Sequence, residues 1–357
     1  MKVDKEKRST EISPEEAMER LQKIFKERGS KPLEMARNEI LKEKIESAEA
    51  KDALTYFMTE YWNDLARPTL LSLACEAVGG NPELTTPIAV PMTLISGAID
   101  IHDDIIDESK IKDNRPTVYG KFGKDIALLA GDALLFKGLT LLNTSTQKGI
   151  AEEKMSKILE IVRNMFFELG DAEALELQLQ KSQEVSPEEY IRVVRKKAAD
   201  VEAHTRISAI IGGGSEEEIE ALSEYGRLLG MLIILRDDWI DMIDFEESVH
   251  RIKKECLPLP LLHALRNPKT RNKLIKILAK KKIGRRDAKA VLSIIYNAKG
   301  FHQYENFTKE LARNAFAKLS PIKFGRTSLE LTIQAMIPQI ERTAEFLVKT
   351  TKPSKAV

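Results

Sequence analysis

Two short acidic motifs interrupt strongly apolar helical stretches of this chain, and they constrain its fold more than any other feature. The first is His102-Asp103-Asp104-Ile105-Ile106-Asp107, the second Arg236-Asp237-Asp238-Trp239-Ile240-Asp241. Both read Asp-Asp-x-x-Asp. Residues four apart share a helix face, so Asp103 lies beside Asp107 and Asp237 beside Asp241. Like charges at that spacing repel, and burying them unpaired is costly. A cation belongs between them, and a hard divalent ion with oxygen ligands suits carboxylates.

The rest of the chain reads as helix. Ser13-Pro14-Glu15-Glu16, Ser186-Pro187-Glu188-Glu189 and Ser215 with Glu218 are N-terminal capping signals. Gly212-Gly213-Gly214 is read as the end of the helix that starts after Ser186. Apolar residues recur at three and four, seldom at two. The expected fold is all-α, a single large bundle of about a dozen helices. The first fifty residues are more charged and read as an N-terminal helical extension (1–50), before a main domain (51–350) and a short tail (351–357).

Composition narrows the class. The 357 residues are 43% hydrophobic and 31% charged, enough for a large core. A net charge of +1 gives no global electrostatic case for nucleic acid. Two cysteines, Cys75 and Cys256, offer neither a disulfide framework nor a zinc set. With a charged start, Met1 to Arg8, they lead to a cytoplasmic expectation. The longest apolar run noted, Leu228–Leu235, falls short of the roughly 18–20 residues a membrane span needs.

Mg²⁺ is usually held by one or two carboxylates, waters and substrate phosphate oxygens. Two carboxylate clusters therefore suit a substrate that brings its own phosphate. A diphosphate fits, and an allylic diphosphate in an apolar cavity can ionise while water is kept out. The apolar flanks Ile88–Ile101 and Leu228–Leu235 would build that cavity.

Several stretches together resemble the polyprenyl synthetase (trans-isoprenyl diphosphate synthase) family. They are the two Asp motifs, Arg115-Pro116-Thr117-Val118, Leu129-Ala130-Gly131-Asp132, and Arg67-Pro68 followed by Glu76-Ala77-Val78-Gly79-Gly80. The resemblance runs from about Asp64 to the end. It implies an all-α fold around a central apolar cavity, usually as a homodimer. It implies that Asp103, Asp104, Asp107, Asp237, Asp238 and Asp241 bind three Mg²⁺ ions with diphosphate. It assigns Lys197 and Lys254 to the allylic diphosphate, although Ala198 replaces the family's threonine and Lys253-Lys254-Glu255-Cys256 lacks its glycine and threonine. Arg67, Lys112 and Arg115 would contact substrate oxygens. Ala98 and Ile99, before the first motif, would face down the cavity and set product length; neither is aromatic, which implies a long chain.

Departures from the family cluster on one side. Where it has Gly-Gly-Lys, the positions read Trp62-Asn63-Asp64; a family histidine is Ser96; paired arginines are Lys112-Asp113; Phe-Gln before the second motif is Ile233-Ile234. An acid replaces a base twice where isopentenyl diphosphate would dock, which is electrostatically unfavourable. Asp100 adds a further acid one turn before Asp103. The preferred expectation is an Mg²⁺-dependent enzyme that ionises an allylic prenyl diphosphate but departs from ordinary use of isopentenyl diphosphate, with terpene-synthase-like or non-standard prenyl transfer. The alternatives are ordinary head-to-tail chain elongation and a non-catalytic subunit of a heteromeric prenyl synthase. Lys280-Lys281-Lys282 with Arg285-Arg286 reads as a solvated turn, or as a contact with an anionic membrane surface during product release.

Overall fold

A computed structural model describes residues 12–112, 114–182, 184–340 and 343–344. Asp113 and the tail 351–357 lie outside the described residues. The architecture is all-α, as expected, with one two-stranded ribbon.

The capping signals start the helices they mark. Ser13 accepts from Glu16 N at the start of α1 (Pro14–Leu41). Reciprocal boxes open α8 (Pro187–Lys197) at Ser186 and α10 (Glu216–Ile243) at Ser215. The helix expected to run from Ser186 to the glycines is broken at Ala198, which separates α8 from α9 (Ala199–Gly212). Ala198 is pressed onto Gly230 of α10, where an added Cβ would lie 2.9 Å from Ala198 Cβ. The glycine end is as expected: Gly213, at φ +80°, caps α9 in the left-handed region.

α1 packs on α3 (Ala66–Ala77), α4 (Thr86–Ile106) and α16 (Arg326–Met336), burying Ala17, Leu21, Leu33, Ala36 and Ile40. Ala17 and Leu21 join the same apolar cluster as Leu229 and Leu232 of α10, so this helix is built into the bundle. The connection to α2 (Ala48–Tyr56) spans 42–47, so residue 50 falls within α2.

α4 is apolar on nearly every side because helices cover it on nearly every side. Its extended stretch Pro82–Ile106 is long and apolar enough to cross a membrane, and so exceeds Leu228–Leu235, the run expected to be longest. Most of its most apolar part is buried inside the bundle, which accounts for its hydropathy without a bilayer. Val90, Leu94, Ala98 and Ile101 face α2 and α6 (Lys124–Asn143). Ile88, Met92 and Ile95 face α9 and α7 (Glu152–Lys181), with Ile99 packed against them.

Ala98 and Ile99 therefore diverge. Ile99, like Phe166, packs against the apolar layer between α4, α7 and α9, whereas Ala98 is buried in the layer shared with α6. Only Ile99 borders the layer between α4, α7 and α9. Ala98→Phe should overpack the α4–α6 layer and cost about 1–3 kcal/mol in a urea titration. Ile99→Phe should be the milder change, being only partly buried.

Candidate active site

Both Asp motifs sit at the C-terminal ends of long helices, where the helix dipole is negative. α11 (Phe245–Lys254) joins the two ends. His250 Nε2 lies 3.2 Å from the Asp107 carbonyl oxygen and 3.4 Å from Ser109 Oγ. The next residue, Arg251, reaches Asp238 at 2.6 Å and Asp241 at 3.0 Å. The two motifs therefore share one mouth.

At the first motif, the chain leaves α4 through Glu108 at φ +55° and returns in the ribbon β1 (Ile111–Lys112) and β2 (Arg115–Pro116). That return sets Lys112 Nζ 2.8 Å from Asp104 and 3.5 Å from Asp103. Thr117 anchors the ribbon by donating to the Ser109 carbonyl at 2.8 Å. Asp103, Asp107 and Glu173 of α7 bring ligand oxygens within 4.8 Å of one another. Lys197, at the end of α8, reaches the same group through Glu173 at 2.9 Å and Glu176 at 2.5 Å. Three convergent carboxylates are a donor set for a hard divalent ion, and Asp103, Asp107 and Glu173 would hold one. Lys112 and Lys197 stand beside it, able to exchange carboxylate for phosphate oxygens.

Burial and mutual repulsion raise the carboxyls of this group. Burial and then the Asp103 and Glu255 charges push the Asp107 carboxyl up to about 8. Burial raises Glu173 to about 7, against the pull of Lys197, with the Asp103 charge adding to the rise. Burial takes Asp104 to about 6 despite Lys112.

The second motif is arranged differently. Asp238 is buried, paired with Arg251 and accepting a hydrogen bond from the Tyr190 hydroxyl. Asp241 shares Arg251, and Asp237 is exposed beside Arg236 at 3.4 Å. Thus Asp103 and Asp107 lie in the three-carboxylate group, Asp104 is held by Lys112, and Asp237, Asp238 and Asp241 lie across the mouth. Glu173 and Arg251 were missed from sequence. Glu173, Glu176 and Gln180 repeat at helical spacing along α7, but nothing local distinguishes them from a solvated face.

The other expected substrate contacts are spread wider. Lys254 is paired with Glu108 at 2.6 Å on the rim of a narrow cleft lined by Asp107, Glu173, Glu176 and Glu255. Arg115 is exposed, donates to the Glu60 carbonyl at 3.0 Å and lies 5.4 Å over the Tyr61 ring, away from the carboxylates. His102 is turned toward α6, 3.3 Å from Asp132. Trp239 packs edge-to-face on Phe301 of α15 (Gly300–Lys318).

Arg67 is surrounded by acid. Its Nε donates to Asp200 Oδ2 at 2.7 Å, Nη1 to Asp64 Oδ2 at 2.8 Å and Nη2 to Asp100 Oδ1 at 3.2 Å. Trp62 Nε1 donates to Asp100 at 2.7 Å, held there by a π-helical turn, Phe57–Tyr61, and by stacking on Phe57. Phe57 reaches α4 because Gly97 has no Cβ, which would lie 2.9 Å from the ring.

The polyprenyl synthetase family profile matches residues 52–295. The chain belongs to the polyprenyl synthetase family. It is 34% identical over 220 residues to a short chain isoprenyl diphosphate synthase of Methanothermobacter thermautotrophicus, covering 59% of this chain and 66% of that one. It is 35% identical over 188 residues to a geranylgeranyl diphosphate synthase of Methanosarcina mazei, covering 52% and 57%. These alignments span under two thirds of each relative's length. The crystal structure of geranylgeranyl pyrophosphate synthetase from Pyrococcus horikoshii superposes with a TM-score of 0.78 at 26% identity, covering 92% of this chain and 99% of that one.

The raised carboxyls fix a sign. Above about pH 4 the unfolded chain releases protons that folded Asp107 and Glu173 retain, so the metal-free protein should lose stability as pH rises toward 8. Mg²⁺ should raise Tm more at pH 8 than at pH 6, because the ligands must be deprotonated. Asp107→Asn should raise the metal-free Tm at pH 8 and remove most of the Mg²⁺-dependent shift in a calorimetric scan.

Proposed function

We propose that the chain is an Mg²⁺-dependent prenyltransferase that draws the prenyl group from an allylic prenyl diphosphate. The observation that carries this reading is the convergence of Asp103, Asp107 and Glu173 beside Lys112 and Lys197, at the mouth of an apolar layer containing Ile99, Ile95, Met92 and Phe166. Metal bound there would supply Lewis acidity toward the departing diphosphate. The lysines would bind its oxygens, and the layer between α4, α7 and α9 would hold the hydrocarbon and exclude water. The three-ion count, with Asp237, Asp238 and Asp241 completing the set, belongs to this proposal. It requires Arg251 to give up Asp238 and Asp241.

The relatives are named as isoprenyl and geranylgeranyl diphosphate synthases, which supports prenyl chain elongation over the terpene-synthase-like outcome preferred from sequence. The acids around Arg67 favour a second reading, in which the prenyl group passes to an acceptor other than isopentenyl diphosphate. Diphosphate release is to be measured with Mg²⁺ and allylic diphosphates of increasing length, with and without isopentenyl diphosphate. Longer prenyl diphosphates formed only with isopentenyl diphosphate would establish elongation, and release from the allylic substrate alone the second reading. Failure of every allylic diphosphate to bind or react would refute the proposal.

A homodimer belongs to the same proposal. Leu128, Leu129, Phe136 and Leu139 share one exposed side of α6, and Leu159 and Phe167 project from α7; Phe136 and Phe167 are 70% and 77% exposed. Apolar surface of this size suits a self-complementary interface. Light scattering should give about twice the 40.3 kDa chain mass, and Phe136→Glu with Phe167→Glu should give monomers. The cytoplasmic setting is likewise proposed, supported by Cys75 and Cys256 being buried free thiols.

A further inference from the structure

The two faces of α11 meet different surroundings. His250 touches the Asp107 carbonyl and lies on the side of the carboxylate mouth. Phe245, Ser248 and Ile252 recur at three and four on the opposite side, where they line a cavity of about 180 Å³. Met242 and Ile243 from the end of α10 line it too, and α12 (Leu259–Arg266) and α14 (Arg285–Asn297) form its other walls. Met242, Leu261, Val291 and Ile295 are buried and make the interior apolar. A space of roughly 150 Å³ with such a lining takes a benzene ring, so this cavity can hold a short hydrocarbon chain.

The charge around the cavity is of one sign. Arg251, Arg285 and Lys289 line it, and among the described residues no carboxylate does. Arg285 and Lys289 are exposed and four apart, so they share one side of α14 at the opening. The Arg285 guanidinium lies 4.6 Å over the Phe245 ring. Its acidic neighbour, Glu246 at 3.5 Å, is itself exposed and stands outside the lining. An apolar interior with cations at its rim fits a hydrocarbon tail with an anionic head.

Arg251 connects this cavity to the mouth. It lines the cavity and also pairs with Asp238 and Asp241. Metal at those two carboxylates requires Arg251 to leave them, and the cavity is free space beside it. A tail filling that space would keep Arg251 on the acids.

We propose that the cavity between α10, α11, α12 and α14 binds a single-chain amphiphile with an anionic head group, and that its occupation opposes metal binding at Asp238 and Asp241. The second half rests on the prenyl-transfer reading, whereas the binding site does not. By linkage, metal with diphosphate must weaken the amphiphile by the same factor as the amphiphile weakens the metal.

The test is calorimetric titration of the metal-free full chain with decanoate, geranyl monophosphate and decyltrimethylammonium. The expected result is saturable binding of an anionic amphiphile, about tenfold tighter than the cation of matching chain length. Ala288→Trp, which fills the cavity, should abolish it, and Arg285→Gln with Lys289→Gln should remove the preference for the anion. Decanoate binding alone assigns the site to fatty acids, and geranyl monophosphate binding alone to prenyl phosphates. Absence of binding by both anions overturns the proposal, as does equal binding of the cation. So does unchanged anion affinity in the charge variant, which decides the matter if Ala288→Trp does not fold. With Mg²⁺ and inorganic diphosphate present, the bound anion should weaken about threefold or more; unchanged affinity there overturns the coupling. Anion binding to a chain that takes up no allylic diphosphate would support the site and count against the prenyl-transfer reading alone.

Discussion

The arrangement depends on carboxylates gathered at the C-terminal ends of two apolar helices, where dipole and side chains repel one another. The fold answers that repulsion with cations brought from elsewhere. Lys112 returns on the ribbon to Asp104 and Asp103, Lys197 arrives from α8 to Glu173 and Glu176, and Arg251 rises from α11 to Asp238 and Asp241. Arg251 is nearly buried, so removing it would leave Asp238 as an unpaired interior charge. The internal cations cover part of the negative charge and leave Asp103, Asp107 and Glu173 crowded. A site balanced in this way is stable enough to fold and still able to take a metal and an anion.

Reactivity and cargo space are separated along α4. Its last turn faces the charged mouth, while its middle turns face apolar layers on two sides. Ile99 falls at the change from one to the other. In the proposed reaction the diphosphate would lie among the lysines and the tail among apolar side chains, which shields an allylic cation from water. The same helix carries Asp100 toward Arg67, one helical turn from Asp103.

The motifs that could be recognised in sequence are those whose meaning is local. Ser186 with Glu189 and Ser215 with Glu218 close their boxes within four residues, and Asp103 and Asp107 share a face by helical spacing alone. Glu173 escapes such reading because its neighbours in the site come from seventy residues upstream and its own helix looks evenly charged. Ala98 and Ile99 differ by one step of about 100°, but only the placement of α6 and α7 decides which of them faces a chain. The break at Ala198 is likewise illegible locally, since Ala198 packs against Gly230 on another helix.

The sequence by itself determined an all-helical chain, the two acidic motifs, their demand for a cation, and the loss of basic residues before Arg67. Each follows from spacing and charge, which a linear chain carries in full. Tertiary structure alone decided that α11 joins the two motifs at one mouth, that Glu173 completes the carboxylate group, and that Arg67 is shared among Asp64, Asp100 and Asp200. Those facts depend on which helices touch, and long-range packing brings together residues that no local pattern relates.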